Sequence, residues 1–291
     1  MATAWKLDDG RLKPEAVKIL SSKGDDTMGF EEILFEKRDG VATVTLNRPD
    51  RLNAFTTSMY QRLAEILDEI KKDDGLAVMV ITGAGKGFCA GSDVSDRLAR
   101  RIEKGSEESR FESLKQIGAV ALDLEDFDKP IIAAVNGVAV GAGLSVALAS
   151  DIRIASEKAR FGAVWVRVGL IPDLGATYFL PQLVGIDKAM EMTLTGDLVD
   201  AEEALEIGLV TRVLKHDELM LRAAELAARI AEGPAIAIEL TRRGLRRSLN
   251  NDLKSQLDYE SYAQTICRYS TDHKEGVQAF IEKRKPEFRG R

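Results

Sequence analysis

The stretch IIAAVNGVAVGAGLSVALASDIRIAS, Ile131 to Ser156, decides the architecture. Its opening apolar run is the pattern of a strand buried on both faces. AGLSVALAS then reads as a helix, and DIRIAS as the strand that closes a strand–helix–strand unit. Asn136 and several glycines break the apolar run, so it predicts buried strand and helix rather than a bilayer span. A unit of this kind implies a parallel sheet with crossover connections.

The same alternation extends outward. Upstream, EILFEKRD and VATVTLNRP are strand patterns, the second alternating Val41, Thr43 and Thr45 with Ala42, Val44 and Leu46. Met59, Leu63, Ile66, Leu67 and Ile70 recur at helical spacing, which predicts an amphipathic helix over Thr57 to Lys72. LAVMVITG is another buried strand, and a polar helical stretch from about Glu107 to Asp126 stops at Pro130. Downstream, the pattern turns wholly helical from Asp217. The expected organisation is a polar extension over 1–29, with a short helix near Pro14 to Leu20, an α/β core over 30–215 and a helical region over 216–291.

Composition narrows the function classes. A chain of 291 residues, 45% hydrophobic and 30% charged, has the balance of a soluble globular enzyme. A net charge of −6 argues against a nucleic-acid binder, which needs an electropositive face. Two cysteines, Cys89 and Cys267, and two histidines, His216 and His273, are too few and too far apart for a disulfide scaffold or a metal knuckle. The first residues lack a hydrophobic signal core and carry several acids, so a reduced, cytoplasmic protein is expected, with no membrane association.

Two glycine-rich strand exits hold the candidate chemistry. GAGKGFCAGSDV, Gly83 to Val94, fits neither the P-loop nor the GxGxxG spacing and reads otherwise as a tight turn. NGVAVGAGLSVAL, Asn136 to Leu148, leaves main-chain N–H groups unpaired at a helix start, where negative charge is stabilised; its plainer reading is close packing through small residues. If one amide from each loop met a single developing oxyanion, each donor would contribute roughly 2.7–4 kcal/mol. A lone acid, Asp173, stands in the apolar run VWVRVGLIPDLGATYFLPQLVG. Burial among Trp165, Leu170, Ile171 and Leu174 would raise its pKa toward that of a useful base, or it would serve as the N-cap of the helix that follows.

LNRPDRLNAF, GKGFCAGSD, VNGVAVGAGLSVALASDIRIAS, ARFGAVWVRVGLIPDLGATYFLPQLVG, TGDLVDAEEALEIGLVTRV and GVQAFIEKRKPEF, in that order, resemble the crotonase (enoyl-CoA hydratase/isomerase) superfamily from about residue 30 to 288. The GLxPDxG segment is closest to isomerase-like members. The resemblance implies a ClpP/crotonase-like α/β fold, a spiral of ββα units followed by a helical trimerisation region. It also implies homotrimers or homohexamers, an acyl-CoA thioester substrate and no cofactor beyond the coenzyme A of that substrate.

The resemblance assigns the oxyanion amides to Ser92 and Ala142 and the proton-transfer acid to Asp173. CoA contacts are implied for Arg51, Ala54, Ala90, Ser92, Asp93, Phe280 and Lys283, with Arg48 beside them. Hydratases of the family use two glutamates, where this chain has Ser145 and Trp165, so isomerisation is favoured over hydration. Trp165 matches a tryptophan that assists an aspartate in aromatic acyl-CoA dehalogenases, and otherwise reads as core. The histidine that such enzymes carry upstream of KPIIAAVNG has no counterpart between Asp93 and Pro130. Variant hydratase, hydrolase and dehalogenase activities, and a non-catalytic acyl-CoA or RNA binder, are the alternatives. TRRGLRRS, Thr241 to Ser248, reads as a solvated basic face or a CoA-phosphate edge.

Overall fold

In the computed structural model, residues 3–8, 11–16, 31–93 and 118–290 are described. Two compact units separate at Glu31/Glu32. The first holds a two-stranded antiparallel ribbon, β1 (Thr3–Asp8) with β2 (Arg11–Ala16), in which Trp5 faces Pro14. Pro14 to Ala16 are therefore strand where a helix is expected. Proline is tolerated on an edge strand, and a ribbon has no other kind. Residues 17–20 of that expected helix lie outside the described residues.

The second unit is built on a six-stranded sheet. Its strands are β3 (Ile33–Arg38), β4 (Val41–Leu46), β5 (Val78–Gly83), β7 (Ile131–Val135), β9 (Ile152–Ser156) and β12 (Arg212–Leu214), in spatial order β12-β9-β7-β5-β4-β3. All neighbours are parallel except the β3–β4 hairpin. A smaller sheet carries β6 (Gly87–Cys89), β8 (Val138–Val140), β10 (Arg160–Gly162) and β11 (Leu198–Asp200), in order β11-β10-β8-β6. Each central strand of the large sheet thus hands the chain to a short strand of the small one: β5 to β6, β7 to β8, β9 to β10. That repeated handover, followed by a return to the large sheet, is the expected spiral.

The helices cover both faces. Helix α1 (Thr57–Lys72) is capped by the Thr56 side chain, which accepts the Met59 N–H, and buries the apolar stripe from Met59 to Ile70. Residues 118–125 form helical turns, α2, of the expected polar helix; positions 107–117 lie outside the described residues. Then come α3 (Ala142–Ala149), α4 (Ala176–Val184), α5 (Ile186–Thr195) and α6 (Ala201–Glu206). The chain ends in α7 (Leu219–Ala231), α8 (Ala235–Ser248), α9 (Leu253–Tyr269) and α10 (Thr271–Glu282).

Alternate residues of the buried strands serve opposite faces. Met79, Ile81, Ile131 and Ala133 join the main core with α1, whereas Val78, Val80, Ile132 and Ala134 pack against Leu219, Ala223 and Ala227 of α7. The first helix of the C-terminal region therefore closes the sheet. Among the described residues no helix is long and apolar enough to cross a membrane.

The basic run on α8 corrects an expectation. Arg242 and Arg246, one turn apart, face inward rather than to solvent. Arg242 donates to Asp151 Oδ2 at 2.8 Å and to the carbonyls of Leu124, Glu125 and Phe127; Arg246 bridges Asp151, Glu125 and the Ala149 carbonyl. Arg242→Ala would leave these buried acceptors short of a donor and is expected to cost about 3–5 kcal/mol. The half-exposed Arg243, whose ion pair is with Glu239 on its own helix, is the control, and Arg243→Ala is expected to change stability by less than about 0.5 kcal/mol. Urea unfolding of the two variants measures the difference; equal midpoints would exclude the latch.

Candidate active site

Three loops leave the small sheet at the carboxyl ends of adjacent parallel strands: Ala90 to Asp93 after β6, Gly141–Ala142 after β8, and Trp165 to Asp173 after β10. Their neighbourhood follows from the strand order.

The first loop is shaped by buried amides. Asn53 donates to the Ala84 and Gly87 carbonyls at 2.9 and 2.8 Å and accepts the Arg48 N–H; Asn136 donates to Gly85 and Gly87 and accepts the Gly83 N–H. These satisfy a turn that would otherwise bury unpaired main-chain groups. In sequence Asn53 is marked only as a polar residue beside the first apolar helix. Arg48 pairs with Glu32 at 3.1 Å and Asp93 at 3.0 Å and donates to the Ala54 carbonyl at 2.6 Å. Its guanidinium is thus engaged in binding the loops together.

Around Ser92, the Phe55 N–H donates to the Gly91 carbonyl and the Asp93 N–H to the Phe55 carbonyl, both at 2.8 Å. These bonds fix the residues on either side and turn the Ser92 amide away from Phe55. The Ser92 hydroxyl lies 2.9 Å from the buried Tyr60 hydroxyl, whose ring stacks on Phe55. Ala142 opens α3, so its amide belongs to the first-turn donors a helix leaves unpaired. Gly91 and Gly141 bring the two loops into contact: a Cβ on Gly91 would lie 3.8 Å from Ala142 N, and one on Gly141 3.6 Å from Gly91 Cα.

Cys89, under this turn, is fully buried, and burial pushes its thiol up to about 12. Ellman's reagent at pH 8 is therefore expected to titrate only Cys267 in the native protein and both thiols in denaturant. Two fast native thiols would contradict the packing.

Asp173 lies at the third loop. Its Oδ1 accepts the Trp165 indole N–H at 2.9 Å, and its main-chain carbonyl accepts the Ser145 hydroxyl at 2.9 Å. Asp173 is not a helix cap. Leu174 and Gly175 follow in left-handed conformations, and Gly175 is the cap position of α4, with no side-chain capping bond. The apolar wall is thinner than expected: Trp165 and Leu174 are 5% exposed, whereas Leu170 and Ile171 are 53% and 81% exposed. Asp173 itself is half-buried.

The remaining predicted residues divide. Ala54, Ala90, Ser92 and Asp93 are half-buried, while Arg51 is exposed in the 3-10 turn Pro49–Arg51. Phe280 and Lys283 are exposed at the end of α10. Phe280 borders a cavity of about 730 Å³ among the C-terminal helices, lined also by Leu240, Tyr259, Ala263 and Val277. Pocket walls are expected to come partly from residues 95–120, of which 95–117 lie outside the described residues.

Comparison with known proteins gives a consistent assignment. Residues 36–291 match the model of the family described as enoyl-CoA hydratase/isomerase. The chain is 39% identical to 1,2-epoxyphenylacetyl-CoA isomerase of Escherichia coli K12, covering 90% of this chain and 100% of that protein. It is 38% identical to the short-chain-enoyl-CoA hydratase of Clostridium acetobutylicum, covering 89% and 98%. The solved enoyl-CoA hydratase of Bacillus anthracis superposes with a TM-score of 0.85 at 34% identity, covering 90% and 100%. With its two-sheet spiral and its paired glycine loops, this chain belongs to the enoyl-CoA hydratase/isomerase family of the crotonase superfamily.

Proposed function

We propose that the protein is an enoyl-CoA isomerase that shifts a carbon–carbon double bond through a thioester enolate. The Ser92 and Ala142 amides hold the thioester oxygen as it gains negative charge. Asp173 removes a proton from the α-carbon of a 3-enoyl thioester, and the electrons delocalise into a dienolate. The protonated acid then returns the proton to the γ-carbon, leaving the 2-enoyl product. No water is consumed and no cofactor is required beyond the coenzyme A of the substrate.

The observation that carries this reading is the bond from Trp165 to the Asp173 carboxylate. Ser145 and Trp165, the positions to which the resemblance assigns the hydratase glutamates, are both non-acidic, and both hydrogen-bond to this one acidic residue. The relationship to a CoA-ester isomerase of E. coli, whose named substrate is an epoxide, supports isomerisation in general rather than a double-bond shift in particular. The hydratase of C. acetobutylicum, almost equally similar, supports a second reading in which Asp173 activates water.

Incubation with 2-enoyl- and 3-enoyl-CoA panels in deuterated water separates the two. Double-bond migration with label at the α- and γ-carbons is the expected result; rapid formation of 3-hydroxyacyl-CoA from crotonyl-CoA would favour the hydratase instead.

The family resemblance supports the further reading of a homotrimer or homohexamer, in the cytoplasm. Exposed Leu253, Tyr262, Tyr269 and Phe280 on the C-terminal helices support assembly. Light scattering at three or six chain masses is expected, and a single chain mass would oppose it.

A further inference from the structure

The Ser145 side chain is fully buried, and its hydroxyl has two carbonyls within reach. A serine inside a helix commonly bonds back to the carbonyl four residues earlier. Here that carbonyl, Gly141, lies at 3.4 Å, while the Asp173 carbonyl, on a different loop, lies at 2.9 Å. The shorter contact crosses the site.

The carbonyl it reaches sits at the start of a constrained turn. Asp173 C=O also accepts the Ala176 N–H at 3.0 Å, and Leu174, a non-glycine residue, has φ +51°. Such a conformation persists only where the surroundings hold it. Ser145 lies one turn beyond Ala142 on the same short helix. One hydrogen bond therefore joins the helix that presents an oxyanion amide to the main chain of the acid. Trp165 holds the carboxylate of the same residue from the other side.

We propose that Ser145 is a positioning residue that sets how far the Asp173 carboxylate stands from the oxyanion amides. The inference rests on the reading of Asp173 as the proton-transfer group. Ser145 acts through Asp173 and touches no reacting atom. A displacement of about 1 Å at a reacting group can cost about 10²-fold in rate.

Ser145→Ala removes the hydroxyl and introduces a stronger helix former, and Asp173 C=O retains the Ala176 N–H. The expected result is a kcat lowered about 10- to 100-fold with KM for the CoA ester within about twofold. Added to Asp173→Asn, the same change is expected to lower the residual exchange rate no further, because the acid it positions is gone. Ser145→Cys, similar in volume with a weaker donor, is expected to fall between wild type and Ser145→Ala, and carries the test if the alanine variant does not fold. Wild-type kcat in both variants beside an inactive Asp173→Asn would overturn the positioning role alone. A fully additive double variant would overturn it too. An active Asp173→Asn would instead remove the functional reading beneath it.

Discussion

Asp173→Asn is expected to slow α-proton exchange on enoyl-CoA esters by about 10³-fold, within the range of 10²–10⁴ typical of general acid–base groups. Affinity for the CoA ester is expected to change less than about threefold. The substitution is isosteric, so the structural contacts of the residue have counterparts in the variant. The indole N–H of Trp165 can still meet an amide oxygen where it now meets Oδ1, and the Ser145 hydroxyl bonds to the main chain, which is unchanged. What disappears is a group able to take and return a proton. Mass-spectrometric deuterium uptake, with calorimetry of CoA-ester binding, measures both quantities. Undiminished exchange would sink the assignment of the base, and lost binding would make Asp173 a structural residue.

Gly143→Ala is expected to destabilise the fold by more than about 4 kcal/mol, in the exceptional tail of single substitutions. Helix propensity alone predicts the opposite, since alanine is better than glycine by about 1 kcal/mol inside a helix. Sterics decide the sign. A Cβ at Gly143 would lie 2.2 Å from the Cys89 carbonyl oxygen and 2.6 Å from its Cβ. The obstacle is mostly main chain, and it belongs to the strand that leads to Ser92. Relief requires moving α3 away from β6, which separates the Ser92 and Ala142 amides as well. Gly118, in α2, supplies the contrast: a Cβ there meets nothing within 4 Å, so Gly118→Ala is expected to be neutral or to stabilise by up to about 1 kcal/mol. Chemical unfolding of both variants tests the pair; a Gly143→Ala protein as stable as wild type would refute the close approach.

The long elements were legible because each carries several periods of a hydrophobic repeat. The stripe from Met59 to Ile70 predicts α1 with the observed ends, and the continuous run around Val78 to Ile81 predicts a strand buried on both faces. The second sheet was not legible. β6, β8 and β10 have three residues each, too few to show alternation. Gly87 of β6 lies in a glycine-rich stretch that reads locally as a tight turn.

At the site, residue types carried the chemistry and packing carried the rest. Asp173 before LGATYFL is as good a cap in sequence as an acid could be. It is excluded as one only by the left-handed pair Leu174–Gly175, which delays the helix. Arg242 and Arg246 resemble a solvated basic face because their main carboxylate partner, Asp151, is more than 90 residues away in the chain. Tyr60 reads as one more core aromatic on α1, and only the fold brings its hydroxyl to Ser92. Where contacts are local in sequence, pattern is sufficient; where they cross loops, it is not.

The order β6-β8-β10 has an evolutionary corollary. Neighbouring strands are spaced about 4.8 Å apart by main-chain hydrogen bonding, so the loops that carry Ser92, Ala142 and Asp173 depart from three consecutive rungs of one ladder. Substitutions such as Gly143→Ala or Ser145→Ala shift what the loops carry, while the spacing of the strands beneath them is set by the main chain. On the proposed function, redirecting such an enzyme toward another reaction would mean exchanging the segment borne on the third rung as a unit, while the first two, which would grip the thioester, stay as they are.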